Sequence, residues 1–322
     1  MYSQSQLVSI IIPCRNEETF ISSVMNNILA QDYPLDQLEI FVVDGNSTDQ
    51  TKNIALGYKE KFNQLAVLEN VKQTVPYALN LAINQTKGNI IVRLDAHTLY
   101  ANNYISTIIE TFAKTNADIV GGPMRAKGKT DFQKAVAYCT STKMGVGNSS
   151  FHDENFEGYV DSVYLGAWKR ELFNEVGLFD ERMKRNQDDE FHYRAKSKGK
   201  KIYLNPEIRS TYYPRSTIKK LCIQYFQYGL YKPLVLKKIK SAIQLRHLVP
   251  AFFVIYLLAL VSFISTEYFI LIAPLLLYIL LAMYFSLNNN LSLKSKCYCL
   301  IIYPLLHISY GTGFLAGLGK SK

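Results

Sequence analysis

The 322-residue sequence lacks the short motifs that most readily identify a phosphate or zinc site. Neither G-x-x-x-x-G-K-[ST] nor G-x-G-x-x-G occurs, which argues against P-loop and dinucleotide-binding proteins. The five cysteines show no zinc spacing, and their odd number argues against a framework of disulfides. The sequence therefore indicates a protein of a reducing compartment.

The N-terminus also lacks the features of a secretory signal. The opening MYSQSQLVSIIIP has no basic segment before its apolar run, and that run is shorter than a signal peptide requires. We therefore expect the N-terminal part of the chain to remain in the cytoplasm.

Acidic residues are absent between Ile208 and Thr266. Residues 207–322 carry 13 lysines and arginines against 2 acids, whereas residues 1–206 carry 23 against 24, so the net charge of +10 belongs to the C-terminal part. This distribution predicts a cytoplasmic surface that faces anionic membrane lipids. No nucleic-acid binding is expected, because the basic residues adjoin apolar segments instead of forming a free tail.

Three long apolar blocks follow the basic stretch, at Val249–Ser265, Tyr268–Leu287 and Tyr298–Leu318. Each approaches the roughly 20 residues that span a bilayer core, which predicts three transmembrane helices. The third block is the weakest candidate, because Pro304, His307 and several glycines would kink it or make it re-entrant. The alternative, buried helices of a soluble domain, would need a large core to cover three uncharged blocks.

The first 210 residues alternate short apolar, β-branched runs with amphipathic stretches. Leu7–Pro13, for example, precedes the amphipathic stretch Thr19–Ala30, and the same unit recurs along the chain. This alternation predicts an α/β fold with a mostly parallel sheet flanked by helices. The predicted organisation is an α/β domain over 1–210, a basic amphipathic or interfacial segment over 211–247, and a membrane domain over 248–322.

Two segments have less regular patterns. Asp131–Glu157 combines glycine and serine with little periodicity, and we expect a mobile or acceptor-facing insertion there. Ser216–Tyr231 has apolar residues at helical spacing and lysines on the opposite side. It is either a helix on the membrane surface or a helix packed on the globular domain.

Polar side chains gather in the loops that follow the predicted strands, where ligands of open α/β sheets bind. Asp44 follows the run Ile40–Val43, and its carboxylate would accept hydrogen bonds from a base or a ribose. Gly45 lets the backbone approach a ligand closely. The alternative is that Asp44 and Asp49 cap the next helix.

Asp95 and His97 come directly after the apolar run Ile90–Leu94. Their side chains leave extended backbone on the same side, because alternate residues share a face. A divalent cation on a diphosphate needs few protein ligands, so one carboxylate and one imidazole suffice, and the imidazole favours Mn²⁺ over Mg²⁺. The alternative for His97 is a hydrogen-bonding histidine that contacts no metal.

A third acidic cluster lies in NQDDEFHYR, at the start of a predicted helix. One of Asp188, Asp189 and Glu190 is a candidate general base. Carboxylates at a helix N-terminus are also favourable through the helix dipole alone, so the sequence leaves both explanations open.

Five motifs, in this order, resemble those of family 2 glycosyltransferases with the GT-A fold: VSIIIPCRNEE, FVVDGNSTDQT, ALNLAINQTKGNIIVRLDAH, GAWKRELFNEVGLFDE and NQDDEFHYR. The resemblance covers roughly residues 7–210. Together with YYPRSTIKKLCIQYFQYG and the apolar segments, it is greatest to bacterial exopolysaccharide transferases of the succinoglycan type. It implies inverting transfer of a sugar from a nucleoside diphosphate sugar, with a divalent metal on the diphosphate.

The resemblance assigns roles to the matching positions. It implies that Pro13, Arg15 and Glu17 line the nucleotide pocket, that Asp44 contacts the uracil or ribose, and that Asn80 lies near the nucleotide.

The same resemblance implies the catalytic roles. Asp95 would match the metal-binding acid of the Asp-x-Asp signature, with His97 in place of the second acid, and Asp188 would be the catalytic base. Gln187 replaces the glutamate that usually precedes that aspartate. The metal is therefore expected to be Mn²⁺ or Mg²⁺, with Asp95 and His97 as its ligands.

The expected partners are a nucleoside diphosphate sugar donor, a lipid-linked saccharide acceptor, membrane lipids and other polysaccharide-assembly proteins. The Gln-x-x-Arg-Trp motif of processive synthases is absent, which favours single additions. We expect a multi-pass protein of the inner membrane with its catalytic domain on the cytoplasmic side. Two alternatives are a polyprenyl-phosphate sugar synthase and a catalytically silent scaffold of a polysaccharide-assembly complex.

Overall fold

A computed structural model describes residues 6–263 and 269–320 of the chain. The chain divides into two compact units. The first consists of Met1–Arg125 and Asp153–Tyr212, and the second of Ala126–His152 and Tyr213–Lys322. Segment 126–152, placed inside the α/β domain by the sequence, therefore lies in the second unit, and the predicted segment 211–247 falls almost wholly in that unit too.

The first unit is built on an eight-stranded sheet with the order β3-β2-β1-β4-β9-β6-β10-β8. A smaller sheet has the order β5-β11-β7. The strands are β1 Val8–Cys14, β2 Leu38–Asp44, β3 Leu65–Glu69, β4 Ile90–Arg93, β5 Thr98–Tyr100, β6 Ile119–Gly122, β7 Arg125–Ala126, β8 Gly158–Tyr159, β9 Tyr164–Lys169, β10 Ile202–Leu204 and β11 Ser210–Tyr212.

The large sheet is mixed, which corrects the prediction of a mostly parallel one. Strands β3, β2, β1 and β4 run parallel, as do β6 and β10. Strand β9 enters antiparallel between β4 and β6, and β8 pairs antiparallel with β10. The alternation of strands and helices is interrupted before β9, so the right-handed crossovers that enforce parallel pairing do not apply to it.

The helices of the first unit cover the sheet with apolar faces. Helix α1, for example, buries Ile21, Val24, Met25 and Ile28, the spacing of one helical face. They pack in one core with Ile10, Ile12, Ile40 and Val42 of the central strands. The helices are α1 Ile21–Leu29, α2 Thr51–Leu56, α3 Val75–Ile83, α4 Tyr104–Lys114, α7 Leu172–Val176 and α8 Gln187–Ser197, with α5 and α6 in the second unit.

The strand register brings the polar loops to one edge of the sheet. Strand β1 pairs with β2 so that Cys14 lies opposite Asp44, and it pairs with β4 so that Ile11 lies opposite Arg93. The loops that follow β1, β2 and β4 therefore begin side by side, as expected for the carboxyl ends of neighbouring parallel strands.

A buried carboxylate stabilises the opposite edge. Glu39 accepts hydrogen bonds from the hydroxyl of Ser9 and from the backbone N–H groups of Lys87 and Gly88. A Cβ on Gly88 would meet the Ser9 hydroxyl and the backbone of Leu7, so this turn accepts only glycine. Glu39 thus fixes the turn before β4 and lies away from the loops that carry the candidate site.

The second unit consists mainly of helices. They are α5 Asp131–Cys139, α6 Lys143–Val146, α9 Ile218–Lys238, α10 Leu245–Phe263, α11 Ala273–Leu287 and α12 Leu293–Lys320. Segment Asp131–Glu157, expected to be a mobile insertion, begins with α5, which has a capping box formed by Thr130 and Gln133. The apolar face of α5 packs with α12 in a core around Cys139 and Tyr303.

Helix α9 packs closely against α12 through glycines. A Cβ on Gly229 would overlap the carbonyl oxygen of Tyr310, and one on Gly313 would overlap that of Phe226. Such contacts need residues without a side chain, because they let two helix backbones touch. The predicted helix over Ser216–Tyr231 therefore forms, and it packs within the second unit on α12.

Two of these helices are long and apolar enough to cross a membrane: Leu245–Ser262 and Leu293–Lys320. The intervening helix α11 is apolar but has 15 residues. The start of the predicted block Tyr268–Leu287 and the last two residues of the block Val249–Ser265 lie outside the described residues. The block judged weakest forms the longest helix, since α12 continues through Pro304. Length and composition thus support two spans, with α11 as a shorter apolar helix.

Candidate active site

The loops that follow β1 and β2 are held together by hydrogen bonds. The N–H of Asn16 donates to the hydroxyl of Ser47 at 2.9 Å, and the N–H of Thr48 donates to Asn16 Oδ1 at 2.9 Å. The N–H of Glu17 donates to the hydroxyl of Thr51 at 2.8 Å. The segments Cys14–Glu18 and Asp44–Asp49 therefore form one rigid surface at the carboxyl edge of the sheet.

Each of these loops turns at an asparagine in the left-handed region, Asn16 with φ 53° and Asn46 with φ 57°. Asparagine tolerates this conformation better than most residues, which explains its place in both motifs. Gly45 lies between the loops, where a Cβ would come within 3.1 Å of the Arg15 side chain. The residue types in RNEE and DGNSTD thus follow from the geometry of the turns.

Asp44 lies at the base of this surface and is 2% exposed. Its Oδ2 accepts the N–H of Ser47 at 3.0 Å, while its buried Oδ1 has no hydrogen-bond partner among the described residues. Burial, followed by the charges of Asp44, Glu17 and Asp49, raises the pKa of the Cys14 thiol, so these three carboxylates all lie within electrostatic reach of Cys14. An unpartnered buried carboxylate oxygen is suited to accept an N–H or O–H from a ligand.

Pro13 and Arg15 flank Cys14 at the end of β1. Pro13 lies opposite Val43 in the register and is half-buried, whereas Arg15 is exposed. Asp49 holds the turn before α2, because its Oδ1 accepts the N–H of Thr51 at 3.0 Å and its Oδ2 accepts that of Glu18 at 3.2 Å. The capping explanation therefore applies to Asp49, whereas Asp44 keeps one oxygen for a ligand.

Asp95 follows β4 and is bonded by a buried arginine that the sequence argument did not single out. Arg93 Nε and Nη2 both lie 2.9 Å from Asp95 Oδ1. The hydroxyl of Tyr100 accepts the N–H of Asp95 at 2.7 Å and lies 3.2 Å from its carbonyl oxygen. Side chain and backbone of Asp95 are therefore both fixed, and its Oδ2 takes part in none of these bonds.

Three tyrosines surround this turn. Burial, followed by the charge of Asp95, raises the pKa of Tyr100, Tyr104 and Tyr164. Tyr100 and Tyr104 lie edge to face, with ring centroids 4.7 Å apart. The raised pKa values keep all three phenols neutral at physiological pH.

His97 lies against the loop that follows β1. Its Nδ1 is 3.2 Å from Glu17 Oε1, and the two side chains are 32% and 22% exposed. With Glu17 ionised, the carboxylate accepts the proton of Nδ1, and this tautomer carries its lone pair on Nε2. The structure thus brings together two residues predicted to have different partners, one the nucleotide and one the metal.

Helix α8 brings the third acidic cluster to the same charge network. It begins after Asn186, which has φ 58°, and Asp188 lies in its first turn, where Oδ1 accepts the N–H of Asp189 at 2.9 Å. Burial works to lower the pKa of the Arg93 guanidinium, but the charges of Asp95 and Asp188 more than offset it and raise the pKa. Asp95 and Asp188, 93 positions apart in sequence, therefore act on one buried cation.

The other polar residues of α8 are structural. Glu190 is fully buried and pairs with Arg194 through two bonds of 2.9 and 3.0 Å. His192 is also buried, with Nδ1 2.8 Å from the hydroxyl of Ser162. Of the three acids in NQDDEFHYR, Glu190 is thus committed to an ion pair, whereas Asp188 and Asp189 are half-buried in the first turn of the helix.

Asn80 holds a loop in place. Its Nδ2 donates to the carbonyl oxygen of Phe179 at 2.9 Å, and its Oδ1 accepts the N–H of Phe179 at 2.9 Å. Glu181 Oε1 lies 3.3 Å from the same Nδ2. The expectation that Asn80 lies near the nucleotide stays a prediction, and any such contact would be additional to these bonds.

The described residues contain no group of three or more His, Cys, Asp or Glu side chains that would hold a metal by themselves. The donor set nevertheless fits a metal shared with a diphosphate, because phosphate oxygens and water fill most of such a shell. Asp95 Oδ2 and the imidazole of His97 would hold such a metal. A carboxylate and an imidazole together suit Mn²⁺.

The arrangement as a whole suits displacement at a charged donor. Its parts are a buried acceptor oxygen at Asp44, a fixed carboxylate at Asp95, and a second carboxylate at Asp188 linked to the first by one cation. Sequence reasoning found these acids but missed Arg93, Tyr100 and Tyr164. The one available signal was an arginine at the end of the otherwise apolar strand IIVR, where a buried charge needs a partner.

Comparison with known proteins gives a family and a fold. The family model described as glycosyl transferase family 2 matches residues 9–177. The chain is 31% identical over 222 residues to the succinoglycan biosynthesis protein ExoA of Rhizobium meliloti, covering 68% of this chain and 67% of that protein.

A second relative matches over nearly the whole length. It is the dolichyl N-acetyl-alpha-D-glucosaminyl phosphate 3-beta-D-2,3-diacetamido-2,3-dideoxy-beta-D-glucuronosyltransferase of Methanococcus voltae, 29% identical over 328 aligned positions that cover 98% of each chain.

Two solved structures are similar in fold. The mannosyltransferase PcManGT from Pyrobaculum calidifontis, in complex with GDP-Man and Mn²⁺, has a TM-score of 0.71 at 20% identity and covers 99% of this chain and 89% of its own. S. aureus TarS 1-349 in complex with UDP-GlcNAc has a TM-score of 0.54 at 16% identity and covers 98% and 92%.

At such low identity these structures show the fold alone, which is GT-A-like α/β with a mixed sheet. The family resemblance inferred from the motifs is confirmed. The chain belongs to glycosyl transferase family 2 and is a glycosyltransferase.

Proposed function

We propose that this enzyme transfers a sugar, with inversion, from a nucleoside diphosphate sugar to a lipid-linked saccharide acceptor in the synthesis of a surface or extracellular polysaccharide. The observation that carries the proposal is the charge network at the carboxyl edge of the sheet. There Arg93 is bonded to Asp95 and interacts electrostatically with Asp188, while Asp44 offers a buried oxygen next to the loop of Glu17.

The donor half of the site is the surface formed by the loops after β1 and β2. The buried Oδ1 of Asp44 accepts the N–H of a pyrimidine base or a ribose hydroxyl, which favours a uridine diphosphate sugar. Pro13, Arg15 and Glu17 line the same surface. The exposed guanidinium of Arg15 is available to the nucleotide, and the left-handed turns at Asn16 and Asn46 keep this surface rigid.

The divalent cation, when bound, neutralises the charge that develops on the leaving diphosphate. Asp95 Oδ2 and His97 would hold it. Glu17 supports this role, because its contact with His97 Nδ1 selects the tautomer that presents Nε2.

Asp188 is the proposed general base. An acceptor hydroxyl attacks the anomeric carbon from the face opposite the diphosphate, and the carboxylate takes its proton. One carboxylate is sufficient for such an inverting displacement. Gln187, in place of a glutamate, leaves Asp188 without an additional charged neighbour on that side.

A lipid-linked acceptor is supported by two separate observations. The chain carries two helices long and apolar enough to span a bilayer, preceded by the basic helix α9. The relative from Methanococcus voltae is named for an acceptor on dolichyl phosphate. Both support an enzyme anchored in the inner membrane, with membrane lipids and other polysaccharide-assembly proteins as partners and with its sugar-nucleotide site in the cytoplasm.

The test uses the full chain in detergent, incubated with a panel of sugar nucleotides, Mn²⁺ or Mg²⁺, and lipid-linked oligosaccharides. We expect release of nucleoside diphosphate with one donor, and a loss of about 10²–10⁴-fold in kcat for Asp188→Asn with donor binding retained. Asp189→Asn, the same charge change one position along, is the matched control and keeps its activity.

Four outcomes would count against parts of the proposal. Unchanged turnover in Asp188→Asn would remove the base assignment, and loss in Asp189→Asn alone would move that role to Asp189. Transfer to polyprenyl phosphate itself would identify a polyprenyl-phosphate sugar synthase. Absence of metal-dependent donor binding for every sugar nucleotide would favour the silent scaffold.

A further inference from the structure

Arg93 occupies an unusual place for an arginine. It is the last residue of β4, in the middle of the large sheet, and 9% of its surface is exposed. Strand β1 lies on one side, where Ile11 is its register partner, and β9 lies on the other. A buried arginine in a central strand is costly unless its charge is matched.

The compensating negative charge comes from two carboxylates, those of Asp95 and Asp188. Arg93 Nε donates a hydrogen bond to Asp95 Oδ1 at 2.9 Å, and Nη2 makes an ion-pair contact with the same oxygen at 2.9 Å. The charge of Asp188 also acts on the guanidinium, and Tyr164 of β9 and His192 of α8 lie within electrostatic reach of it.

Strand β9 is irregular at this level. Leu165 adopts φ 45°, which is rare for a leucine, and the register between β9 and β6 shifts between Val120 and Gly122. Such conformations persist where the surrounding structure over-determines them, and they occur mainly at functional sites. The backbone is thus distorted next to Tyr164, one of the groups that face Arg93.

We propose that Arg93 is a positioning residue for the transfer reaction. By its hydrogen bond and ion-pair contact to Asp95 Oδ1, it would leave Oδ2 to hold the metal, and its positive charge offsets the charges of the Asp95 and Asp188 carboxylates. This inference rests on the proposed function, since it assigns the metal to Asp95 and the proton transfer to Asp188. Arg93 itself does not contact the substrate.

The geometry favours this role over simple support of the fold. The hydrogen bond and the ion-pair contact both go to one oxygen of a residue only two positions away, so neither ties β4 to another element. What these two contacts restrict is the rotation of the Asp95 carboxylate, and hence which oxygen a ligand meets.

The experiment compares Arg93→Met and Arg93→Lys with Arg209→Met and Arg209→Lys. Arg209 also bonds a carboxylate two positions away, Glu207, at 2.8 and 2.9 Å, but both side chains are exposed. Mn²⁺ binding is measured without turnover, by the loss of the free Mn²⁺ resonance in the presence of uridine diphosphate. Thermal unfolding and steady-state kinetics are measured on the same samples.

We expect Arg93→Met to bind Mn²⁺ about 10–100-fold more weakly, as for other residues that orient a metal ligand. Arg93→Lys keeps the charge but loses the paired bonds, so it should fall between Arg93→Met and the native protein. In both, kcat should decrease more than KM for the acceptor rises. The Arg209 variants should match the native protein.

If Arg93→Met does not fold, Arg93→Lys and the rescue of Arg93→Ala by free guanidinium decide the matter, since only a positioning role predicts recovery of Mn²⁺ affinity by guanidinium. A lower unfolding temperature with unchanged Mn²⁺ affinity and kcat would overturn the proposal and leave a structural arginine. Native protein that binds neither Mn²⁺ nor donor would instead refute the proposed function, so the two failures are distinguishable.

Discussion

The two units of this protein bury polar groups in different ways. The first buries charged side chains, among them Glu39, Arg93 and Glu190, and satisfies each with an opposite charge or several N–H groups. The second closes its helices through glycine and apolar contacts, and pairs polar groups such as His307 with neutral partners, here the Tyr278 hydroxyl at 2.8 Å.

The charged candidate site therefore lies in the first unit, and the long apolar helices lie in the second. Buried charges are costly unless they are matched, and in the first unit Arg93 lies at the edge that carries Asp44, Asp95 and Asp188, whereas Glu39 and Glu190 stabilise the fold elsewhere. Helices that lie in an apolar surrounding cannot use hydrophobic contrast to associate, so close backbone contact takes its place. Each unit should therefore fail in its own way when altered.

The largest effect is expected in the second unit. Gly229→Ala would force a Cβ into the carbonyl of Tyr310 and push α9 away from α12, at a cost of about 3 kcal/mol. Donor binding should persist, because every proposed donor residue lies in the first unit. Thermal unfolding in detergent, with donor binding measured in parallel, checks both expectations.

The matched control is Gly319→Ala in α12. No other described atom lies within 4 Å of the position its Cβ would take, so the change should stabilise the helix by about 0.5–1 kcal/mol. Equal effects of the two substitutions would show that the glycines act through helix propensity and not through contact.

Removal of the Asp44 carboxylate should have the next largest effect, confined to the first unit. Asp44→Asn puts an amide in place of the carboxylate, whose buried Oδ1 has no hydrogen-bond partner among the described residues. Donor binding should therefore weaken by about 1–3 kcal/mol. Glu69→Gln is the control, because Glu69 ends the neighbouring strand opposite Asp44 but is exposed and paired with Lys52. Calorimetry with uridine diphosphate distinguishes them, and equal binding by both variants would remove Asp44 from the donor site.

A smaller effect is expected from Tyr100→Phe. The hydroxyl of Tyr100 is bonded to the backbone of Asp95, and its loss leaves a buried N–H without a partner, at a cost of about 1–2 kcal/mol. The contact of the Tyr104 hydroxyl, with the carbonyl of Leu165 at 3.5 Å, is much longer, so Tyr104→Phe is the milder control. Thermal unfolding and the Mn²⁺ concentration needed for half-maximal activity should both change more in Tyr100→Phe.

The local sequence pattern was enough to locate the loops that carry the candidate site. Runs such as SIIIP and IFVVD gave the strands β1 and β2, and the acids directly after them had to meet at one edge because the strands are parallel. The same reasoning could not place β9, since YLGAWK carries no sign of its direction. The sheet was therefore expected to be mostly parallel and is mixed.

Contacts between distant residues explain the remaining differences. Nothing near Arg93 in the sequence indicates that Asp188 acts on it, and nothing in DFQKAVAYC indicates that α5 packs on a helix more than 150 residues later. In α12, two of the glycines that suggested a kink, Gly313 and Gly317, are the residues that let α9 approach. The composition of these segments indicated which kinds of side chain they carry. Which residues they contact depends on the fold.

The smallest expected effect is a pH dependence of stability in the first unit. Burial lowers the pKa of His192 below its ordinary value of 6.5, with Asp188 and Asp189 opposing the change. Below pH 6.5 the unfolded chain therefore binds a proton that the folded chain does not, so this contribution to stability is present above that pH and is lost as the pH falls. His192→Asn retains a polar atom for Ser162 but cannot titrate. The unfolding free energy of this variant should therefore decrease less between pH 7 and pH 6 than that of the native protein. An equal decrease in the native protein and in His192→Asn would show that the pKa of His192 does not change on folding, and would contradict this prediction.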